Sequence, residues 1–228
     1  FAHSDILTFE EIARVVQAAV GLGISKIRLT GGEPLARLGL VDLVRMIAGV
    51  PGVDDISMTT NGVLLARDAA ALKASGLQRV NVSLDTLRPE RFARITRLGR
   101  LEVVLAGIEA AERAGLQPIK INVVVMRGVN DDEVADFAGV TLEREWHVRF
   151  IEMMPVGETA GAALLEHVPM GEIEERIAGA LGPLTPTIER MQGNGPARYY
   201  RLAGGVGGPW PAGWAQRPCF LQKPAAPM

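Results

Sequence analysis

The sequence predicts an α/β fold, a parallel sheet of the β/α-barrel kind, and three observations carry that expectation. Strand and helix periodicities alternate from residue 8 to about residue 155. Strands that alternate with helices imply parallel pairing through right-handed crossovers. Each expected strand also shows one polar and one apolar face at period two, as a sheet with a wide, polar lumen requires. At 228 residues and 48% apolar composition, the chain can fill one sizeable core, with or without an appendage.

The elements follow in order. Thr8-Phe9-Glu10-Glu11 reads as a capping box. Ile12, Val15, Val16, Ala19 and Val20 then share a helical stripe that Gly21 and Gly23 end. Strand Lys26–Thr30 runs into Gly31-Gly32-Glu33-Pro34, and a helix spans Val41–Ala48. Strand Asp55–Thr59 leads to Thr60-Asn61-Gly62, and a helix over Ala66–Ala74 stops at Gly76. Strand Arg79–Ser83 leads to Leu84-Asp85, and a long helix from Leu101 to Ala114 is closed by Gly115. Strand Ile119–Val125 precedes the loop Gly128-Val129-Asn130-Asp131, helix Glu133–Leu142 follows, and strand Val148–Met153 completes the alternation.

The polar faces decide the kind of sheet. They carry Lys26/Arg28/Thr30, Ser57/Thr59/Asn61, Asn81/Ser83/Asp85 and Lys120/Asn122, opposite Ile27/Leu29, Ile56/Met58, Val80/Val82 and Ile121/Val123. A doubly wound sheet is covered on both faces, so its central strands are nearly continuous apolar runs. A face that is polar in strand after strand suits an open, partial barrel around a polar ligand. Residues 1–157 form this barrel, and residues 158–203 are an appendage with a helix near Met170–Ala180 and a strand over Ala197–Leu202. From 204 to 228, dense Gly and Pro with Trp210 and Trp214 leave no periodicity, and a disordered tail is expected.

A net charge of −2 argues against a general nucleic-acid or anionic-membrane binder. No run is long and apolar enough to span a bilayer, and no signal peptide opens the chain, so a cytoplasmic protein is expected. There is one cysteine, Cys219, which alone holds neither a disulfide nor an iron–sulfur cluster. His3, His147 and His167 lack ligand spacing, and no metal site is expected in the chain.

In such barrels the active site lies where strands run into the following loops. Gly31-Gly32-Glu33-Pro34, Thr59-Thr60-Asn61-Gly62, Ser83-Leu84-Asp85 and Glu152-Met153-Met154-Pro155 occupy those positions. Each alone has a plain alternative: a tight turn, an Asn-Gly turn, or methionine core filler. Together, at successive strand ends, they mark one rim. Consecutive glycines let a ligand's polar group approach the backbone. Arg28 and Lys120 are cations at inward strand positions, either paired with Asp85 or Glu33 or available to an anion such as a triphosphate.

These segments carry a family resemblance. Arg28-Leu29-Thr30-Gly31-Gly32-Glu33-Pro34, Thr59-Thr60-Asn61-Gly62, Asn81-Val82-Ser83-Leu84-Asp85, Lys120-Ile121-Asn122-Val123-Val124 and Arg149-Phe150-Ile151-Glu152-Met153-Met154-Pro155-Val156-Gly157 resemble the molybdenum cofactor biosynthesis protein A family. These are the GTP 3',8-cyclases of the radical S-adenosylmethionine (SAM) superfamily. Asn194-Gly195-Pro196-Ala197-Arg198-Tyr199-Tyr200-Arg201 adds to the likeness, which covers about residues 6 to 203.

The resemblance implies an open six-stranded barrel of the radical SAM type, this chain supplying five strands. It implies SAM at Gly31, Gly32, Glu33, Ser83 and Met154, and GTP at Arg28, Thr59 and Lys120. It also implies two [4Fe-4S] clusters, reductive cleavage of SAM, abstraction of the GTP 3'-hydrogen, and closure onto C8 to give 3',8-cyclo-7,8-dihydro-GTP. The cysteine sets for both clusters are not in this sequence, so the chain as given is expected to be a catalytically silent fragment. The alternatives are another radical SAM enzyme, such as a peptide-modifying one, or a degenerate chain that binds nucleotide or forms a homodimer without catalysis.

Overall fold

In a computed structural model of the chain, Thr8 opens the first helix through a complete capping box. Its hydroxyl accepts from Glu11 N at 3.2 Å, and the Glu11 carboxylate accepts from Thr8 N at 2.8 Å. The structure describes residues 6–97, 99–153, 166–186, 198–202 and 218–222, the last group by its backbone alone. In chain order the elements are α1 (Phe9–Gly21), β1 (Lys26–Leu29), α2 (Leu40–Ala48), β2 (Asp55–Thr60), α3 (Leu65–Ala74) and β3 (Arg79–Ser83). Then come α4 (Pro89–Thr96), α5 (Leu101–Arg113), β4 (Ile119–Val125), α6 (Val134–Glu143) and β5 (Trp146–Glu152). Last are α7 (Met170–Leu181), β6 (Leu184–Pro186), β7 (Arg198–Leu202) and β8 (Pro218–Gln222). Two compact units result, Phe1–Ser83 with Glu102–Ile119, and Leu84–Leu101 with Lys120–Met228.

In the first unit β1, β2 and β3 pair in parallel, with Arg28 opposite Ser57, Ser57 opposite Arg79, and Thr59 opposite Asn81. That register puts the polar residues of successive strands on one side, as the period-two pattern requires. The other side is core: Ile56, Met58, Val80 and Val82 are buried, with Leu43, Val44 and Ile47 of α2, Leu65 and Leu72 of α3, and Val104 and Ile108 of α5. Fully burying each such side chain contributes about 1.5–3 kcal/mol. Gly62, at φ +80°, lets the backbone turn beside this core; a Cβ there would meet Val104 Cγ1 at 2.9 Å and Val82 Cγ1 at 3.1 Å.

In the second unit the strand order is β4-β5-β8-β7-β6. β8 runs parallel to β5 and antiparallel to β7, and β7 pairs antiparallel with β6. Ile121, Val123 and Val125 of β4, Val148 and Phe150 of β5, Phe137 of α6, and Ile173 and Ile177 of α7 form its core.

The structure departs from the sequence expectation in two elements. Within the expected disordered tail, Pro218–Gln222 forms β8, inserted between β5 and β7. Its ladder partners lie far away in sequence, so no local pattern announces it, and its proline opens the strand, where a missing N–H is tolerated. The rest of that tail, 204–217 and 223–228, lies outside the described residues. Helix α4 likewise has no counterpart in the sequence expectation. Pro89 opens it at the first turn, a position that suits proline's fixed φ.

Candidate ligand-binding site

At the C-terminal ends of the first unit's strands, the loop after β1 is held by Glu33. One carboxylate oxygen accepts from Leu35 N at 3.0 Å and from the Thr60 hydroxyl at 2.8 Å. The other accepts from Asn61 N at 2.7 Å. Glu33 thus ties the Gly31-Gly32 loop to the end of β2, a role for its side chain that the sequence does not disclose. The turn itself is pinned by Asn61 Oδ1, which accepts from Val63 N at 2.9 Å, and by the Thr60 hydroxyl, which accepts from Gly62 N at 3.0 Å. Gly31 adopts φ +148°, and a Cβ on either Gly31 or Gly32 would meet nothing within 4 Å. These glycines are therefore not required by packing; they leave bare backbone accessible to a ligand.

On the polar face of the same unit, Asn81 Nδ2 donates to Thr59 Oγ1 at 3.3 Å. Deeper down, Asp55 and Arg79 form a buried ion pair. Thr59 is half-buried, and Ser83 is exposed. Arg28 is exposed as well, whereas the sequence suggests a buried cation in need of a partner. The reason is positional: among the described residues β1 pairs only with β2, so nothing covers its outer side. Nor does Arg28 depend on either expected carboxylate. Glu33 is engaged as above, and Asp85 Oδ1 accepts from Val124 N at 2.8 Å.

The second unit carries Lys120, buried at 3% exposure on β4, and Asn122 two residues further on. Asn130 and Glu133 organise the loops beside this strand. Asn130 Nδ2 donates to Asp85 O at 2.7 Å and to Val124 O at 2.8 Å, while its Oδ1 accepts from Met126 N at 2.7 Å. Glu133, fully buried, accepts from the Thr86 hydroxyl at 2.6 Å, from Leu87 N at 2.7 Å, and from Arg91. Burial pushes the Asp85 carboxyl above its ordinary range, partly opposed by the Val124 N–H that favours the charged form. On β5, Arg149 is buried between the core residues Val148 and Phe150. It is not among the candidates the sequence suggests, although a charged residue between two core positions is the signal available.

Glu152, at the end of β5, accepts from Met170 N at 2.5 Å at the start of α7, with His167 Nε2 3.8 Å away. Met154, expected at SAM, lies outside the described residues. No group of three or more His, Cys, Asp or Glu among the described residues is arranged to hold a metal ion. No helix among them is long and apolar enough to cross a membrane.

The fold is that of an α/β protein whose first unit offers bare glycine backbone and strand-end hydroxyls and whose second unit buries Lys120 and Arg149. The chain belongs to the radical SAM superfamily, whose family profile matches residues 2–140. It is 53% identical over 205 residues to a protein of Pelotomaculum thermopropionicum named GTP 3',8-cyclase, covering 90% of this chain and 63% of that one. Proteins of the same name from Heliobacterium modesticaldum and Moorella thermoacetica are 50% and 52% identical over 205 residues, each match covering 90% of this chain and 62% of the relative. The chain thus spans somewhat less than two thirds of the length of these relatives.

Solved structures agree on the fold, an α/β open barrel of the radical SAM type. A radical SAM methyltransferase from Sphaerobacter thermophilus aligns with TM-score 0.56 at 17% identity, over 76% of this chain and 53% of that one. A domain of pyruvate-formate lyase-activating enzyme from Bacteroides vulgatus aligns with TM-score 0.51 at 16% identity, over 68% of this chain and 91% of that one.

Proposed function

We propose that this chain is the SAM- and nucleotide-binding part of a GTP 3',8-cyclase of molybdenum cofactor biosynthesis, acting in the cytoplasm. The reaction is the conversion of GTP to 3',8-cyclo-7,8-dihydro-GTP. The observation that carries the reading is identity near one half, over 205 residues, to relatives bearing that name. The geometry is consistent with it. Gly31 and Gly32 expose backbone with no side chain in the way, which suits SAM's polar amino-acid end; Glu33, Ser83 and Met154 are assigned to SAM from the family resemblance alone. Lys120, Arg28 and Thr59 are assigned to GTP, with Lys120 as the buried cation for a phosphate. When bound and reductively cleaved, SAM supplies a carbon radical able to take a hydrogen atom. The [4Fe-4S] cluster that would deliver the electron does not fit the residues present, since the chain has one cysteine and a cluster takes about four thiolates. What this chain's own residues supply in this reading is binding and orientation of the two ligands.

The test is the Lys120→Ala variant, with GTP and SAM affinities measured separately. A charge-assisted hydrogen bond contributes about 1.5–3 kcal/mol, so GTP affinity should fall about tenfold to a hundredfold while SAM affinity stays close to wild type. Equal losses for both ligands would show that Lys120 supports the fold instead. A wild-type chain that bound peptide and ignored GTP would favour a peptide-modifying member of the superfamily.

A further inference from the structure

Three strands of the second unit turn cations toward one face. Ile119, Ile121 and Val123 of β4, Val148 and Phe150 of β5, and Tyr200 and Leu202 of β7 are buried in its core. Lys120, Arg149 and Arg201 alternate with them, so by parity all three point to the opposite side of the sheet. The ladder agrees. Arg149 and Tyr199 both sit opposite Phe220 of β8, and Arg201 sits opposite Pro218, two residues earlier on that strand. The other described strand residues on this face are Asn122, Val124, His147, Ile151, Thr185 and Tyr199, and none is a carboxylate. Lys120 and Arg149 are buried and Arg201 is half-buried. All three engage other groups of the chain, yet the Nε–H of Arg149 and of Arg201 is shut off from solvent and donates to no described group. Cations gathered on a face without an acid suit an anion of several charges.

Depth tells which part of that anion Arg201 meets. β8 runs parallel to β5 and antiparallel to β7, so Arg201 is level with His147 rather than with Arg149. That is roughly 6.6 Å further from the C-terminal rim, at about 3.3 Å per residue. Across the sheet Arg201 is two strands from Arg149, about 10 Å, a gap that two long side chains close at a single phosphate. Sheets of this kind hold their ligands at the rim, so a triphosphate entering from there carries its last phosphate deepest. A guanidinium fork matches phosphate oxygens two at a time. We propose that Arg201 is a specificity-determining residue that binds the terminal phosphate of the nucleoside triphosphate beside Arg149. This rests on the nucleotide reading above and adds to it the group that tells a triphosphate from a diphosphate.

The experiment compares the full chain as wild type, Arg201→Gln and Arg201→Lys. Affinities for GTP and GDP are measured by equilibrium binding, and phosphorus NMR spectra are recorded for bound GTP. Wild type should prefer GTP over GDP by about tenfold to a hundredfold, the range of one charge-assisted hydrogen bond. In Arg201→Gln the preference should fall to about twofold or less through weaker GTP binding, while GDP affinity holds. In Arg201→Lys the γ-phosphorus resonance of bound GTP should move and the α resonance should stay. A preference that survives in Arg201→Gln, or a wild type that binds GTP and GDP alike, overturns the inference and leaves the GTP reading standing. Equal losses for GTP and GDP show an arginine that supports the fold and overturn it equally. Where Arg201→Gln does not fold, the Arg201→Lys spectrum decides, and an unmoved γ resonance overturns the inference. Wild type that ignores both nucleotides overturns the nucleotide reading, and the inference with it.

Discussion

Asp85 shows how one residue carries opposed demands. Its Oδ1 accepts the Val124 N–H at 2.8 Å, a bond that favours the charged carboxylate, but burial dominates and lifts the carboxyl above its usual range. The sign is the reverse of the common carboxylate case. The folded state holds the proton more tightly than the unfolded chain, so stability falls as pH rises from the unfolded value of about 3.8 through the folded one. Above the folded value a constant penalty remains. An amide in place of the acid would keep an oxygen for Val124 and lose the charge. Asp85→Asn should therefore be more stable than wild type at pH 7, with the difference shrinking as both approach pH 4. Denaturant unfolding at several pH values reads this directly, and a variant less stable than wild type at pH 7 would show that the charge is needed in the fold. Nothing in Ser83-Leu84-Asp85 as a string discloses this partner, because Val124 is 39 residues away.

Among the elements, α7 is tethered by charge. Arg127 grips Glu172 with two bonds, 3.0 and 2.6 Å, and Arg176 adds one at 2.7 Å. Arg176 also meets Asp131 at 3.0 Å, so the helix is fastened to the loop after β4. The Arg127 and Arg176 guanidiniums hold the Glu172 carboxyl down to about 2, from 4.5. A depressed carboxylate stabilises above its unfolded value and is lost as pH falls through the folded one. The wild-type melting temperature should accordingly fall between pH 4.5 and pH 2 by more than that of Glu172→Gln. Parallel curves for the two proteins would show that the network adds nothing, as is often true of solvent-exposed pairs.

The helix itself is legible in the sequence, since Met170, Ile173 and Ile177 bury one face. So are the first five strands and most of the helices between them, because each declares itself by local periodicity. The register of charges between elements is not legible, because it depends on tertiary distance. Strand β8 is hidden for the same reason, in a stretch of Gly and Pro. Of the candidate residues, Gly31, Gly32 and Lys120 stand out through their residue types, whereas the bracing role of Glu33 appears only in three dimensions.

For the whole molecule, scaffold and chemistry come apart. The folded units supply glycine backbone, buried cations and strand-end hydroxyls, all suited to binding. Radical chemistry also needs an electron, and the superfamily's source of it is a cluster held by thiolates. The single cysteine, Cys219, pairs through its backbone with Tyr200 between β5 and β7, and one thiolate cannot replace about four. This 228-residue polypeptide, reconstituted alone with iron and sulfide under anaerobic reducing conditions, should therefore retain no stoichiometric cluster and release no 5'-deoxyadenosine from SAM. Iron analysis, the visible absorption of the cluster and chromatography of the SAM products measure this together. Binding is a separate matter, because Lys120 and the Gly31-Gly32 backbone do not depend on iron for their placement in the chain. Weak GTP or SAM binding without SAM cleavage is the expected outcome. Stoichiometric iron with SAM cleavage from this polypeptide alone would mean that ligands other than cysteine hold the cluster, and the division between scaffold and electron source would fall.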